Sequence, residues 1–292
     1  MHGDRRVTLV EPTRFPERFP PLVVALALSE RVLLVVRALT RELAEAIATV
    51  ELFDRPTTVA VGPEVGDEEI ARALKGTRLA EAPRGPLDLV AIREQIDGWT
   101  VPPRPGPVRV PIDHAFAVRG VGAVALGAVR QGTLRVHDRL RLYPTERLVE
   151  VRSIQLHDVD VREAESGERV GVSLKGVEAD ELERGQTLAP DGTLAVGTEW
   201  QGDAPERCRY YRGRWEGETS MHLAVGLDVV PVRVVGSPPD GLAITAARPV
   251  AALAGEFGYL LDLSAPVPPR IAARVRLEPR ARATGASGAA LN

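Results

Sequence analysis

The stretch PIDHAFAVRGVGAVALGAVRQG, residues 111–132, decides how the rest of the chain is read. Ile112, Ala115 and Ala117, then Val124, Leu126 and Val129, are apolar residues set in short runs punctuated by glycine. The first run ends at Arg119-Gly120-Val121-Gly122, a turn that glycine adopts at little steric cost. The second pauses at Gly127 and resumes to Gln131-Gly132. Two strands joined by a glycine turn, with a glycine where the wall must bend, predict a small closed β-barrel. The same style continues downstream. Residues 134–143, LRVHDRLRLY, alternate apolar and polar with period two and predict one half-buried strand. Val149–Ile154 repeats the pattern, residues 163–174 supply a turn and a strand, and residues 180–188 close the unit.

In their order, IDHAFAVRGVGAVALGAVRQG, VHDRL, VEVRSIQLHD, SGERVGVSLKGVE and DELERGQTLA resemble the second domain of translational GTPases of the EF-Tu class. Within that class the resemblance is strongest to the selenocysteine-specific factors, SelB, and the SelB-like proteins of archaea. It spans residues 108–190 and extends more weakly to both sides. It implies an α/β plus all-β chain: a truncated, parallel-sheet GTPase-like domain followed by two β-barrels like EF-Tu domains 2 and 3. The expected boundaries are 1–100 for the α/β domain, 101–107 for a Pro-rich linker, 108–193 and 194–279 for the barrels, and 280–292 for a disordered tail.

Composition is that of an ordinary globular protein: 292 residues, 44% hydrophobic, 26% charged, net charge −3. No apolar run reaches bilayer length, and no signal-peptide core follows Met1, so a cytoplasmic protein without a membrane partner is expected. Cys208 is the single cysteine, which excludes an intrachain disulfide and a cysteine metal cage. The five histidines show no metal-ligand spacing, so no metal or cofactor is expected. Near-neutral charge means that any RNA contact must come from a local patch.

Residues 1–105 alternate strand-like and helical patterns, the signature of a parallel sheet with helices. Val7–Val10, Arg31–Val36, Thr57–Val61 and Thr77–Ala80 read as strands. Leu22–Leu28, the stretch Thr40–Phe53 with Thr40 as N-cap, Gly66–Leu74 and Leu87–Ile96 read as helices. The parts of a GTPase are missing. No G-x-x-x-x-G-K-[ST] loop is present to cradle phosphates; Lys75 precedes its glycine. The segment VTLVEPTRFPERF resembles the family's strand and switch, yet Glu11 and Arg14 stand near the Asp and Gly of Asp-x-x-Gly. Gly62-Pro-Glu-Val65 stands where Asn-Lys-x-Asp would read guanine. The expectation is a relic that begins at the third strand of the ancestral domain and neither binds nor hydrolyses GTP. Strands 7–10 and 31–36 are then expected side by side.

The resemblance also implies a site. Asp113 and His114, before Phe116, and Arg169 fall where the family's second domain contacts the aminoacyl group of its tRNA. SelB proteins carry an Asp, a His or Arg, and an Arg there. Arginine is a permanent cation with a planar fork of donors, and histidine can add charge or a hydrogen bond, so the set favours an anionic side chain such as a selenolate. Taken singly, Asp113 reads as a turn cap, His114 as a surface residue and Arg169 as the partner of a carboxylate. Leu126 departs from the small hydroxyl residue usual before this glycine and is expected to narrow the mouth.

Residues 221–230, 231–235, 242–246, 249–262 and 270–277 form strand-like runs that resemble the family's third domain. Arg207, Arg209, Tyr210, Tyr211, Arg212, Arg214 and Trp215 interleave cations with aromatic planes, a composition that suits RNA. The other reading is an edge whose arginines are solvated and whose aromatics pack inward. Arg135, Arg139, Arg141, Arg147 and Arg152, with Glu146 and Glu150 between them, read as a solvated face. Three functions follow: a non-catalytic translation-factor relative binding tRNA, aminoacyl-tRNA or ribosomal RNA; a nucleotide-binding factor with an altered site; or a subunit that contacts proteins through the α/β relic.

Overall fold

The computed structural model describes residues 7–213, 215, 217–236 and 241–280. Arg214 and the expected tail, apart from Arg280, lie outside them.

The α/β layer runs α1 (Pro20–Leu28), β1 (Val32–Val36), α2 (Arg41–Phe53), β2 (Thr57–Val61), α3 (Asp67–Leu74), β3 (Arg84–Pro86) and α4 (Leu89–Asp97). Its caps follow the sequence. Thr40 Oγ1 accepts the Leu43 N–H at 3.1 Å, and Asp88 Oδ1 accepts the N–H groups of Val90 and Ala91. The strands β1-β2-β3 pair in that order, all parallel. Two expectations are corrected here. Residues 77–80 form no strand: Thr77 caps a 3-10 turn over Arg78–Glu81, and the third strand comes later, at β3. Val7–Val10 is not a strand beside β1 either. Val7, Leu9 and Val10 are exposed, and Pro12, which lacks an N–H, cuts the run to a length that offers little ladder bonding. Val10 instead lines an apolar groove beside β1, whose outer edge stays unpaired among the described residues, with Val35 42% exposed.

The first barrel contains β4 (Val110–Val118), β5 (Gly122–Ala128), β6 (Thr133–Arg135), β7 (Arg139–Tyr143), β8 (Arg147–Leu156), β9 (Val159–Val161), β10 (Glu163–Glu165), β11 (Arg169–Lys175) and β12 (Thr187–Ala189). The order β11-β5-β4-β12-β7-β8 closes into a ring of six because β8 pairs back with β11. Ile112, Leu142, Val151, Ile154 and Leu188 fill it. The single strand expected over 134–143 is two, β6 and β7. His137 takes a positive φ of 74°, and Asp138 Oδ2 accepts the Arg135 N–H at 2.7 Å, so a local turn wins over the alternating pattern.

The second barrel contains β13 (Ala195–Arg207), β14 (Glu218–Val225), β15 (Asp228–Gly236), β16 (Leu242–Ala252), β17 (Glu256–Leu261) and β18 (Ile271–Pro279), closed in the order β13-β16-β15-β14-β17-β18. Here the strand break falls at Gly226-Leu227, not before Pro231, which lies within β15 opposite His222. One continuous core unites this barrel with the α/β layer; the first barrel has its own, and Tyr143 and Ala189 join it to the second through a small cluster with Leu194, Val196 and Ala251. The Phe53 and Tyr259 rings stack across the junction with centroids 3.8 Å apart. Residues 101–107 run along the first barrel: the Arg104 N–H donates to Ser166 Oγ at 2.8 Å, and its carbonyl accepts the Gly132 N–H. No helix of the described residues is long and apolar enough to cross a membrane.

Candidate functional site

The outer wall of the first barrel holds the residues singled out from the sequence. In β4 the register shifts at Asp113: Ile112 lies opposite Gly127 and His114 opposite Leu126. This bulge needs Gly127. A Cβ there would lie 2.4 Å from the Pro111 carbonyl oxygen, so only glycine lets the two backbones approach. The bulge aims Asp113 toward β11, where its Oδ2 accepts a hydrogen bond from Arg169 Nη1. The pair is half-shielded, with side-chain exposures of 12% for Asp113 and 35% for Arg169. Asp113 Oδ1 is buried and has no hydrogen-bond partner among the described residues. Arg169 therefore pairs with a carboxylate of the trio itself.

His114 and Phe116 are exposed farther along β4, their ring centroids 5.7 Å apart. His114 makes no hydrogen bond to the Asp113–Arg169 pair among the described residues. Leu126, on β5 between β4 and β11, lies opposite His114 on one side and Gly171 on the other. Its Cδ2 comes within 3.5 Å of where a Cβ on Gly171 would stand, so Leu126 fills the space above that glycine. Ser173, two residues along β11, also buries an unpartnered Oγ. The wall thus presents a charge pair, an aromatic pair and two unsatisfied polar atoms around a leucine.

In the arginine-aromatic strip that begins at the end of β13, Tyr211 and Trp215 follow the second of the two readings and pack inward. Tyr211 is 4% exposed and Trp215 8%, and they meet edge to face at 6.2 Å. The Tyr211 hydroxyl donates to Asp262 Oδ2 at 2.8 Å, and burial, helped by that hydrogen bond, pushes its pKa up. Tyr211 is thus withdrawn from any base-stacking surface. Arg209 Nη2 donates to Glu51 Oε1 at 2.9 Å while its guanidinium lies 4.9 Å over Tyr210. Arg207 donates to the Gly213 carbonyl and stands 5.9 Å from the Trp215 ring. Tyr210 and Arg212 are exposed. The basic set on the first barrel is largely paired on the surface, Arg135 with Glu163, Arg141 with Asp191 and Arg147 with Glu181.

Sequence reasoning missed the groups that join the units. Glu45, 1% exposed on the face of α2 away from its apolar stripe, binds Arg270. Arg109 and Arg130 face a cavity between the three units. Their one sequence signal is a charge set beside the buried Val108, Val110 and Val129.

Comparison with known proteins agrees with this architecture. The Elongation factor Tu domain 2 family matches residues 122–189. The uncharacterized protein MJ0325 of Methanocaldococcus jannaschii is 35% identical over 267 residues, covering 91% of this chain and 86% of that protein. The selenocysteine-specific elongation factor of the same organism is 32% identical over 149 residues, which are 51% of this chain but only 30% of that factor. Among solved structures, translation elongation factor SelB of Methanococcus maripaludis in its apo form aligns with a TM-score of 0.75 at 23% identity, covering 89% of this chain and 67% of that one. Its complex with the GTP analogue GPPNHP aligns with a TM-score of 0.77 at 22% identity, covering 89% and 68%. These structural likenesses show the fold: a reduced parallel-sheet layer before two barrels. The chain belongs to the family of MJ0325, homologous to the archaeal selenocysteine-specific elongation factor within the EF-Tu class.

Proposed function

We propose that this chain is a non-catalytic, cytoplasmic relative of the translation elongation factors that holds the aminoacyl end of a charged tRNA on the outer wall of its first barrel. The observation that carries this reading is the Asp113–Arg169 pair, set out from a bulge and left with one buried carboxylate oxygen unpaired. Arg169 keeps further guanidinium donors beyond the one given to Asp113 and is 35% exposed, so an anionic side chain can approach it. His114 and Phe116 would flank that group with a second donor and an apolar plane. Asp113 would hold the guanidinium plane in place. Leu126 restricts the depth of the site, which favours a small side chain.

The α/β layer supports the non-catalytic part. The sequence lacks all three nucleotide motifs, and the layer shares its core with the second barrel. A protein partner would then find only the outer surface of the layer, and RNA beyond the aminoacyl end would meet Arg207, Tyr210 and Arg212. The test is filter binding with aminoacyl-tRNA and the same tRNA deacylated. The reading expects preference for the acylated form and loss of that preference in Arg169→Ala. Equal affinity for both forms in the unaltered protein refutes it.

A further inference from the structure

The cavity where the α/β layer and the two barrels meet has a volume of about 340 Å³. Its lining includes Arg55, Arg104, Arg109, Arg130 and Arg274, one cation or more from every part of the chain. Like charges of this number gather only at a cost, and the structure offsets it incompletely. Glu30 serves both Arg104 (2.5 Å) and Arg130 (2.6 Å). Glu256 serves Arg109 with both carboxylate oxygens at 3.0 Å. Asp54 and Glu206 serve Arg274 and also Arg78, which lies outside the cavity lining. Arg55 has no hydrogen-bonded or ion-pair partner for its guanidinium among the described residues, and its Nε is buried. The Nε atoms of Arg109 and Arg274 are likewise buried without a partner. The charge excess of this network falls on two places in the lining, Arg55 and the Arg104–Arg130 pair that shares Glu30, beside three unsatisfied donors. The Arg130 pKa is pulled down to about 10, chiefly by burial, with Glu30 opposing the shift and Arg55, Arg104 and Arg109 adding to it.

We propose that this junction is a binding site for the phosphate dianion of a small molecule. A phosphate supplies the missing double negative charge, and its oxygens match planar guanidinium donors. The cavity exceeds the volume of a phosphate alone, and the stacked Phe53 and Tyr259 on its wall offer a surface for the remainder of a small organic phosphate. Because the lining comes from all three units, an occupant would add to the small apolar cluster of Tyr143, Ala189 and Leu194 in fastening the first barrel to the others. The proposal is independent of the aminoacyl site on the outer wall.

The test is thermal unfolding of the full chain in inorganic phosphate and in diphosphate, against chloride at equal ionic strength, in the wild type, Arg55→Gln and Arg104→Gln. The expected result is a rise in Tm of ~5 °C at saturating phosphate or diphosphate in the wild type, lost in Arg55→Gln. Without phosphate, Arg55→Gln should melt no lower than the wild type, because it removes a repelled cation that has no partner. Arg104→Gln, on the linker, should reduce the phosphate effect as a second reporter. No shift beyond chloride in the wild type overturns the proposal, as does an equal shift in wild type and Arg55→Gln. A short 5′-phosphorylated RNA that raises Tm where both free phosphates fail also overturns it, and assigns the cavity to a strand end instead.

Discussion

Arg270 grips Glu45 with both ends of its guanidinium, Nη2 at 2.6 Å from Oε2 and Nε at 3.0 Å from Oε1, while its backbone N–H adds a third bond at 2.7 Å. Glu45 belongs to α2 and is 1% exposed; Arg270 immediately precedes β18 and lies 5.0 Å over the Phe19 ring. The α/β layer is therefore fastened to the second barrel by a buried, charge-assisted pair set inside a shared apolar core. Removing one partner leaves the other buried and unpaired. Glu45→Ala is expected to cost about 3–5 kcal/mol, read from the urea midpoint by circular dichroism. Replacing both residues with apolar ones of similar size should cost less than Glu45→Ala alone, which separates the burial penalty from the worth of the bond.

Gly127 carries the bulge that presents Asp113. Gly127→Ala would press a methyl against the Pro111 carbonyl oxygen and Val110 Cγ1, one of them backbone that cannot swing away. A loss of about 1–3 kcal/mol is expected, together with loss of any preference for acylated tRNA, since the register of β4 would shift. Gly120→Ala tests the contrast. That glycine meets nothing within 4 Å but holds a φ of 80°, so the change should strain the turn without disturbing the wall.

Much of this was legible in the chain, for physical reasons. Glycine spacing over 111–132 gave β4, the turn and β5, because a closed wall needs positions where Cβ has no room. Thr40 and the apolar run over β1 marked their elements through capping and burial alone. What escaped depended on contacts distant in sequence. Val7–Val10 has the composition of a strand but no neighbour to pair with. The alternation over 134–143 holds on both sides of a turn that His137 and Asp138 impose locally. Tyr211 and Trp215 look like a stacking surface until the second barrel closes over them. Glu45 sits off the apolar stripe of its helix and becomes buried only when β18 arrives.

Cys208 is 3% exposed, and burial pushes its thiol pKa above the usual value. In the native protein it should not react with a disulfide reagent on the timescale of free thiols, and it should react at once in denaturant. Rapid release of the reporter thiolate from native protein would show that the segment after β13 opens readily.

Burial holds the His222 imidazole below its ordinary pKa of 6.5, with Asp262 opposing the shift. Between the folded and unfolded values the unfolded chain binds more protons, so this contribution to stability is complete above the unfolded pKa and declines as pH falls through the folded one. Denaturant midpoints should decrease from pH ~7 to pH ~5. His222→Gln should flatten part of that slope, and an unchanged slope would assign it to carboxylates.

The proposed function requires recognition by fixed surfaces, with no nucleotide cycle behind them. Calorimetric titration of the full chain with GTP and magnesium, with ATP as control, tests this most directly, followed by an assay for released phosphate. The account predicts no guanine-selective, magnesium-dependent binding and no turnover. Saturable binding of GTP over ATP that needs magnesium, or release of phosphate from GTP, contradicts it.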